Sequence, residues 1–222
     1  MYVDFCLVDT DLREKDIKEK INEAIKCNVS SITVPYHYLK LLKNVPKNKI
    51  DVSSFVDHPL GISSPSSRIQ AVQNLINAGV NCIDLTIPQI LASNRKYNAI
   101  REDIGSIKPI CDEKSIKIRY VLEYRIFDHR CLKKICEILD DFDIKYAFPS
   151  TGFFIDNLSD NILASVFLHQ NSKEINVITT GNAWTEHHYN IVARSGVYGI
   201  RTFSSHGIDQ LKKYTIMNQK SV

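Results

Sequence analysis

Eight short β-branched runs, each followed by a longer stretch that includes amphipathic segments, leave this chain few folds to choose from. The strand candidates are Val3–Val8, Ser31–Val34, Asp51–Val56, Asn81–Ile87, Ile116–Glu123, Ile144–Phe148, Asn176–Thr180 and Gly199–Thr202. Between them the period changes from two to about 3.6. Ile17, Ile21 and Ile25 recur at helical spacing within Asp16–Lys26, and Ile69, Val72, Leu75 and Ile76 do so within Ser67–Asn77. Three helix ends share one device: Cys27-Asn28-Val29, Ala78-Gly79-Val80 and Ser195-Gly196-Val197 place Asn or Gly where a left-handed cap belongs. Eight strand–helix units in roughly 215 residues predict an α/β fold of one domain, a closed (β/α)8 TIM barrel over 1–216 with 217–222 as a C-terminal tail. The rival is an open doubly wound sheet, which usually needs fewer units and often opens on a Gly-rich turn; none follows Val8.

Composition narrows the partners. A chain of 222 residues, 44% hydrophobic and 24% charged, is ordinary for a soluble globular protein, and a net charge of +3 with scattered lysines is too small for a nucleic-acid footprint. No run approaches the roughly 18 apolar residues of a membrane span, and acidic Asp4 stands where a signal peptide is basic. The expectation is a cytoplasmic protein without nucleic-acid or membrane partners. The six cysteines form no Cys-x-x-Cys pair and read as small buried hydrophobes.

Charges inside strands buried on both faces need a reason. Period-two alternation puts Cys82, Asp84 and Thr86 on one face of their strand, and Arg119, Val121 and Glu123 on one face of theirs. The opposite faces, with Ile83 and Leu122, suit packing on helices, so Asp84, Arg119 and Glu123 point into the barrel. Two readings stand side by side: a buried ion pair that fixes the core, or a polar reaction centre with Asp84 as base and Arg119 as electrostatic stabiliser.

The opening strand with Asp4, the Asp57-His58-Pro59-Leu60-Gly61 turn, the Asn81-Cys82-Ile83-Asp84 strand, the Glu123 strand end, the Ser150-Thr151-Gly152 turn, the Gly181 turn and the Ser204-Ser205 pair resemble the deoxyribose-phosphate aldolase family in the same order. The resemblance implies that Asp84 matches the aspartate that moves protons and that Arg119 stands for a second lysine on strand five. It also implies that the Schiff-base lysine of strand six is Phe148 here and the lysine that tunes it on strand seven is Ile178. An imine-forming lysine needs a depressed pKa, often supplied by a neighbouring cation; a pocket with Phe148 and Ile178 is apolar instead. Lys145 lies toward the opposite end of its strand and Lys117 one layer deeper than Arg119, so neither substitutes. The phosphate site implied by the resemblance keeps Thr151, Gly152, Gly181, Ser204 and Ser205, but has Asn182 for a glycine and Trp184 for the phosphate-pairing arginine. That pattern suits a weakened phosphate site or a bulkier, non-phosphorylated ligand stacking on Trp184.

His58, beside Asp57 at the end of strand three, faces the mouth as acid, base or polar loop residue. His37 is placed similarly. These two with Asp57 and Glu123 have no recognised metal-ligand spacing, so no metal or other cofactor is expected. Two classes of function remain. One is a lyase, isomerase or cyclase acting on a small carbonyl compound or sugar phosphate through Asp84, Arg119, Glu123 and His58, without an imine. The other is a non-catalytic paralogue serving as a ligand-binding or protein-interaction scaffold. Homo-oligomerisation is left open.

Overall fold

The computed structural model describes residues 1–9, 11–154 and 157–219. Eight parallel strands pair in chain order and close, with the last beside the first: β1 (Tyr2–Cys6), β2 (Ser31–Thr33), β3 (Asp51–Val56), β4 (Cys82–Thr86), β5 (Lys117–Val121), β6 (Tyr146–Phe148), β7 (Asn176–Thr180) and β8 (Gly199–Thr202). The helices are α1 (Glu14–Lys26), α2 (Pro65–Asn77), α3 (Gln89–Ser93), α4 (Tyr97–Glu113), α5 (His129–Asp141), α6 (Leu158–Gln170), α7 (Glu186–Arg194) and α8 (Ser205–Gln219). This is the expected TIM barrel. Among the described residues no helix is long and apolar enough to cross a membrane.

The eight-unit pattern departs from expectation at two places. After β2 the connection is a 3-10 helix, Tyr36–Leu42, rather than an α-helix. Pro35 opens that segment and Pro46 closes the loop behind it, and the residue before a proline is steered away from α geometry. The closing helix runs to Gln219, past the boundary expected at 216; of the expected tail, Lys220–Val222 lie outside the described residues. The three caps sit as read from the sequence, with φ of 53° at Asn28, 87° at Gly79 and 80° at Gly196.

Period-two alternation sorts the strand residues onto two cores. Ile83, Leu85, Ile87, Ile118, Tyr120 and Leu122 join the large apolar shell between barrel and helices. Inside the barrel the apolar part is small, formed by Val121, Phe148 and Ile178; the rest is polar and charged. One buried charge cluster lies outside. Arg68 of α2 donates from Nε and Nη2 to the two oxygens of Asp103 on α4, at 2.9 and 3.0 Å, and from Nη1 to Asp57 after β3, at 2.9 Å. Asp57 also accepts from the Ser63 amide and hydroxyl, so the whole turn that bears His58 is anchored from below.

Candidate functional site

The register that pairs Asp84 with Arg119 across β4 and β5, and Asp4 with Arg201 across β1 and β8, brings four charges to the barrel axis. Arg119 donates from Nε to Asp84 Oδ1 at 2.6 Å and from Nη1 to Asp4 Oδ1 at 3.2 Å. Tyr2, Ser31 and Thr33 accept its remaining N–H groups. Arg201 closes the ring, donating from Nε to Asp4 Oδ2 and from Nη2 to Asp84 Oδ2. Ser53 and Thr33 hydroxyls donate to Asp84 and Asp4. All four charged side chains are fully buried. Burial alone would lift the Asp4 carboxyl, but Arg119 and Arg201 outweigh it and hold the group below the usual carboxylate range. Burial pushes the Cys82 thiol up to about 12, so it is no thiolate nucleophile near neutral pH.

At the carboxyl end of β6 stands Phe148, fully buried, with the Arg201 guanidinium carbon 3.8 Å from its ring centre and that of Arg119 at 5.1 Å. Among the described residues no lysine is buried in the barrel. Lys117 is held at the floor by Asp51 and lies over the Tyr146 ring, while Lys145 pairs outside with Asp143 and Glu174.

The mouth of the barrel opens into a cavity of about 520 Å³. Its wall comes from the segments after β1, β2, β3 and β6, and includes Val8, Tyr36, Phe55, His58, Thr151 and Phe153. A ligand pocket of this volume on this face suits the architecture. A second cavity of about 380 Å³ lies outside, on the surfaces of α5 and α6, and touches none of the inward-facing strand residues.

His58 is the titratable mouth residue with an open valence. Its ring stacks on Phe55 at 4.6 Å, and its Nδ1 is buried without a protein partner. Burial first, then the Arg201 charge, push its pKa down to about 4, so the imidazole is neutral at physiological pH. Arg201 also keeps one group in reserve, Nη1, buried and without a partner. The two groups are neighbours through Phe55, whose ring centre is 5.8 Å from the Arg201 guanidinium carbon.

The other expected residues divide. Asp84 and Arg119 meet, but as members of the buried four-charge ring, and neither lines the cavity. Glu123 accepts from the Thr151 amide at 3.1 Å and hydroxyl at 2.8 Å, tying β5 to the turn after β6. Thr151 and Gly152 line the cavity; Gly181, Asn182, Trp184, Ser204 and Ser205 do not. Asn182 accepts from the Thr202 hydroxyl, and Trp184 stacks on His206 at 5.9 Å. The Phe203 ring lies against Gly152, where φ is 73° and an added Cβ would come within 2.3 Å of it. His37 is exposed on the 3-10 helix, and among the described residues no cluster fit to hold a metal ion occurs. Arg201 is the residue sequence reasoning missed. The signal was faint: the Gly199–Thr202 strand holds a charge, but four residues are too few for alternation to assign it to the inner face.

No protein-family model matches the chain. Among curated proteins, the deoxyribose-phosphate aldolase of Clostridium botulinum strain Alaska E43 is 27% identical over 152 residues, 68% of each chain. Among solved structures, an aldolase designated QR15 superposes with a TM-score of 0.82 at 20% identity, covering 100% of this chain and 97% of that one. The deoxyribose phosphate aldolase from Aeropyrum pernix, described as having a unique tetrameric structure, also gives 0.82, at 15% identity over 97% and 90% of the two chains.

Proposed function

The chain belongs to the deoxyribose-phosphate aldolase family, and from that premise we propose that it is an enzyme of lyase or isomerase type that acts on a small carbonyl compound without a lysine imine. The carbonyl oxygen enters the mouth cavity and accepts a hydrogen bond from the neutral His58 imidazole in its wall, with the buried Arg201 charge behind that ring. Withdrawing electron density from the carbonyl makes the neighbouring C–H acidic; the proton passes to water at the open mouth and the electron pair moves onto the oxygen as an enolate. Donors placed where charge develops are the largest single contribution in many such sites. A neutral histidine with a lowered pKa is a known form of electrophile.

The observation that supports this reading is His58 in the cavity wall, its Nδ1 buried without a partner and its ring stacked on Phe55, with the Arg201 guanidinium carbon 5.8 Å from the centre of that same ring. In this account Asp84 and Arg119 position Arg201 rather than touch the ligand. Phe148 replaces an imine-forming side chain by an aromatic platform for the same cation.

A second reading, a non-catalytic ligand-binding paralogue, draws on the way each Asp84 oxygen is held by an arginine, which keeps the expected base ionised within the ring and away from the cavity. One experiment separates the two. Small aldehydes and ketones are incubated with the protein in D2O and loss of the α-C–H signal is followed by NMR. Exchange that disappears in His58→Phe, with the fold retained, supports the enzyme. Binding without any exchange leaves the paralogue reading.

A further inference from the structure

We infer that the mouth cavity takes a non-phosphorylated ketone or aldehyde bearing an aromatic or branched aliphatic group, an inference that rests on the carbonyl-binding reading above and narrows its ligand class. The first observation concerns the corner after β7 and β8, where barrels of this architecture bind phosphate at helix amino termini. Protein side chains occupy part of it. The Asn182 side chain reaches Thr202 and stands so close to Gly207, in the first turn of α8, that an added Cβ there would lie 3.0 Å from its Oδ1. Phe203 leans on Gly152 beside it.

The second observation is the cavity wall, where Tyr36, Phe55 and Phe153 supply rings and Val8, Pro35 and Pro59 supply aliphatic surface. The acidic group in the wall, Asp57, is taken up by Arg68 and Ser63. The hydroxyls and dianion of a sugar phosphate would lose water against such a wall and gain few partners, an unfavourable exchange.

The third observation lies on the rim. Among the described residues twelve large apolar side chains are exposed, and eight of them sit on segments leaving the carboxyl ends of strands. Tyr36 follows β2, Leu60 and Ile62 follow β3, Ile90 follows β4, and Phe153 and Phe154 follow β6. Single exposed apolar residues are ordinary, but their concentration at one end of the barrel, with Tyr36 and Phe153 in the cavity wall, is the pattern of a binding surface. The apolar wall, with His58 in it, thus opens on the end of the barrel where most of the exposed apolar side chains lie.

Saturation-transfer NMR and thermal melting with four probes test this. The probes are acetophenone, 3-methyl-2-butanone, deoxyribose 5-phosphate and inorganic phosphate. The ketones are expected to bind and raise the melting temperature, and the two phosphates to do neither. Phe153 is 69% exposed, so Phe153→Ser should fold normally; it should weaken acetophenone about tenfold by removing one aromatic face. Binding by either phosphate, silence from both ketones at millimolar concentration, or an unchanged affinity in Phe153→Ser would each overturn the inference. Ketone binding without α-C–H exchange keeps it and sinks the catalytic reading; exchange on deoxyribose 5-phosphate alone does the reverse.

Discussion

Replacing Arg119 by methionine tests whether the four inner charges act as one unit. Arg119 donates five hydrogen bonds, to Asp84, Asp4, Tyr2, Ser31 and Thr33, from a side chain with no exposed surface. Its loss leaves two carboxylates facing the single guanidinium of Arg201, and an uncompensated buried charge of this kind costs about 3–5 kcal/mol. Asp84→Leu leaves the opposite imbalance and should cost a similar amount. The double variant restores neutrality, because Asp4 and Arg201 still pair. Its loss should be close to that of one single variant, giving a coupling energy on the order of 3 kcal/mol. Urea denaturation at neutral pH measures all three, provided the slope with denaturant is unchanged. Losses that simply add would refute the idea of a shared ring.

Four further outcomes are expected. His58 has a lowered pKa in the fold, so its contribution is fully present above the unfolded value of 6.5 and is lost as pH falls toward about 4; the loss is roughly 3 kcal/mol, and denaturation curves of His58→Phe should lack that part of the slope. Asp4, also lowered, contributes stability above its unfolded value that vanishes only in stronger acid. Gly152→Ala forces a side chain into a left-handed turn and onto the Phe203 ring, so calorimetry should find more than about 1 kcal/mol of destabilisation unless Phe203 is shortened as well. Finally, incubation with acetaldehyde followed by borohydride should leave the intact mass unchanged, and a stoichiometric lysine adduct would disprove the non-imine reading.

The barrel was legible because its signals are local. β7 and β8 begin and end at the residues where β-branched runs meet turn residues, and the three left-handed caps are spelled by Asn28, Gly79 and Gly196. Asp84 and Arg119 were legible because a charge within an apolar alternation is conspicuous. Arg201 was not singled out, since its four-residue strand shows too little alternation to flag an inner face, and its partners come from β1 and β4, far away in sequence. The cavity wall was hidden for a related reason. His58 was read as a mouth residue, but Tyr36, Phe55 and Phe153 are each unremarkable loop or strand residues until closure of the barrel gathers them around it. Glu123 was placed correctly in the interior, but its role as a tether depends on the path of the chain at Thr151, which no pattern within β5 encodes.

The charge ring also has a temporal side. Asp4 lies in the first strand and Arg201 in the last, so the ring cannot be completed until nearly the whole chain has left the ribosome. Before β8 arrives, Asp4 and Asp84 share one cation, Arg119, and the nascent interior is one positive charge short. A seven-stranded intermediate would therefore keep its centre wet, since water is the remaining way to accommodate the spare carboxylate. Docking of the last strand expels that water and seals the barrel in one step. Vectorial synthesis is thereby reconciled with a cooperative finish: a truncated barrel has no dry centre to settle into, and quality control has a clear difference to read between the unfinished molecule and the finished one.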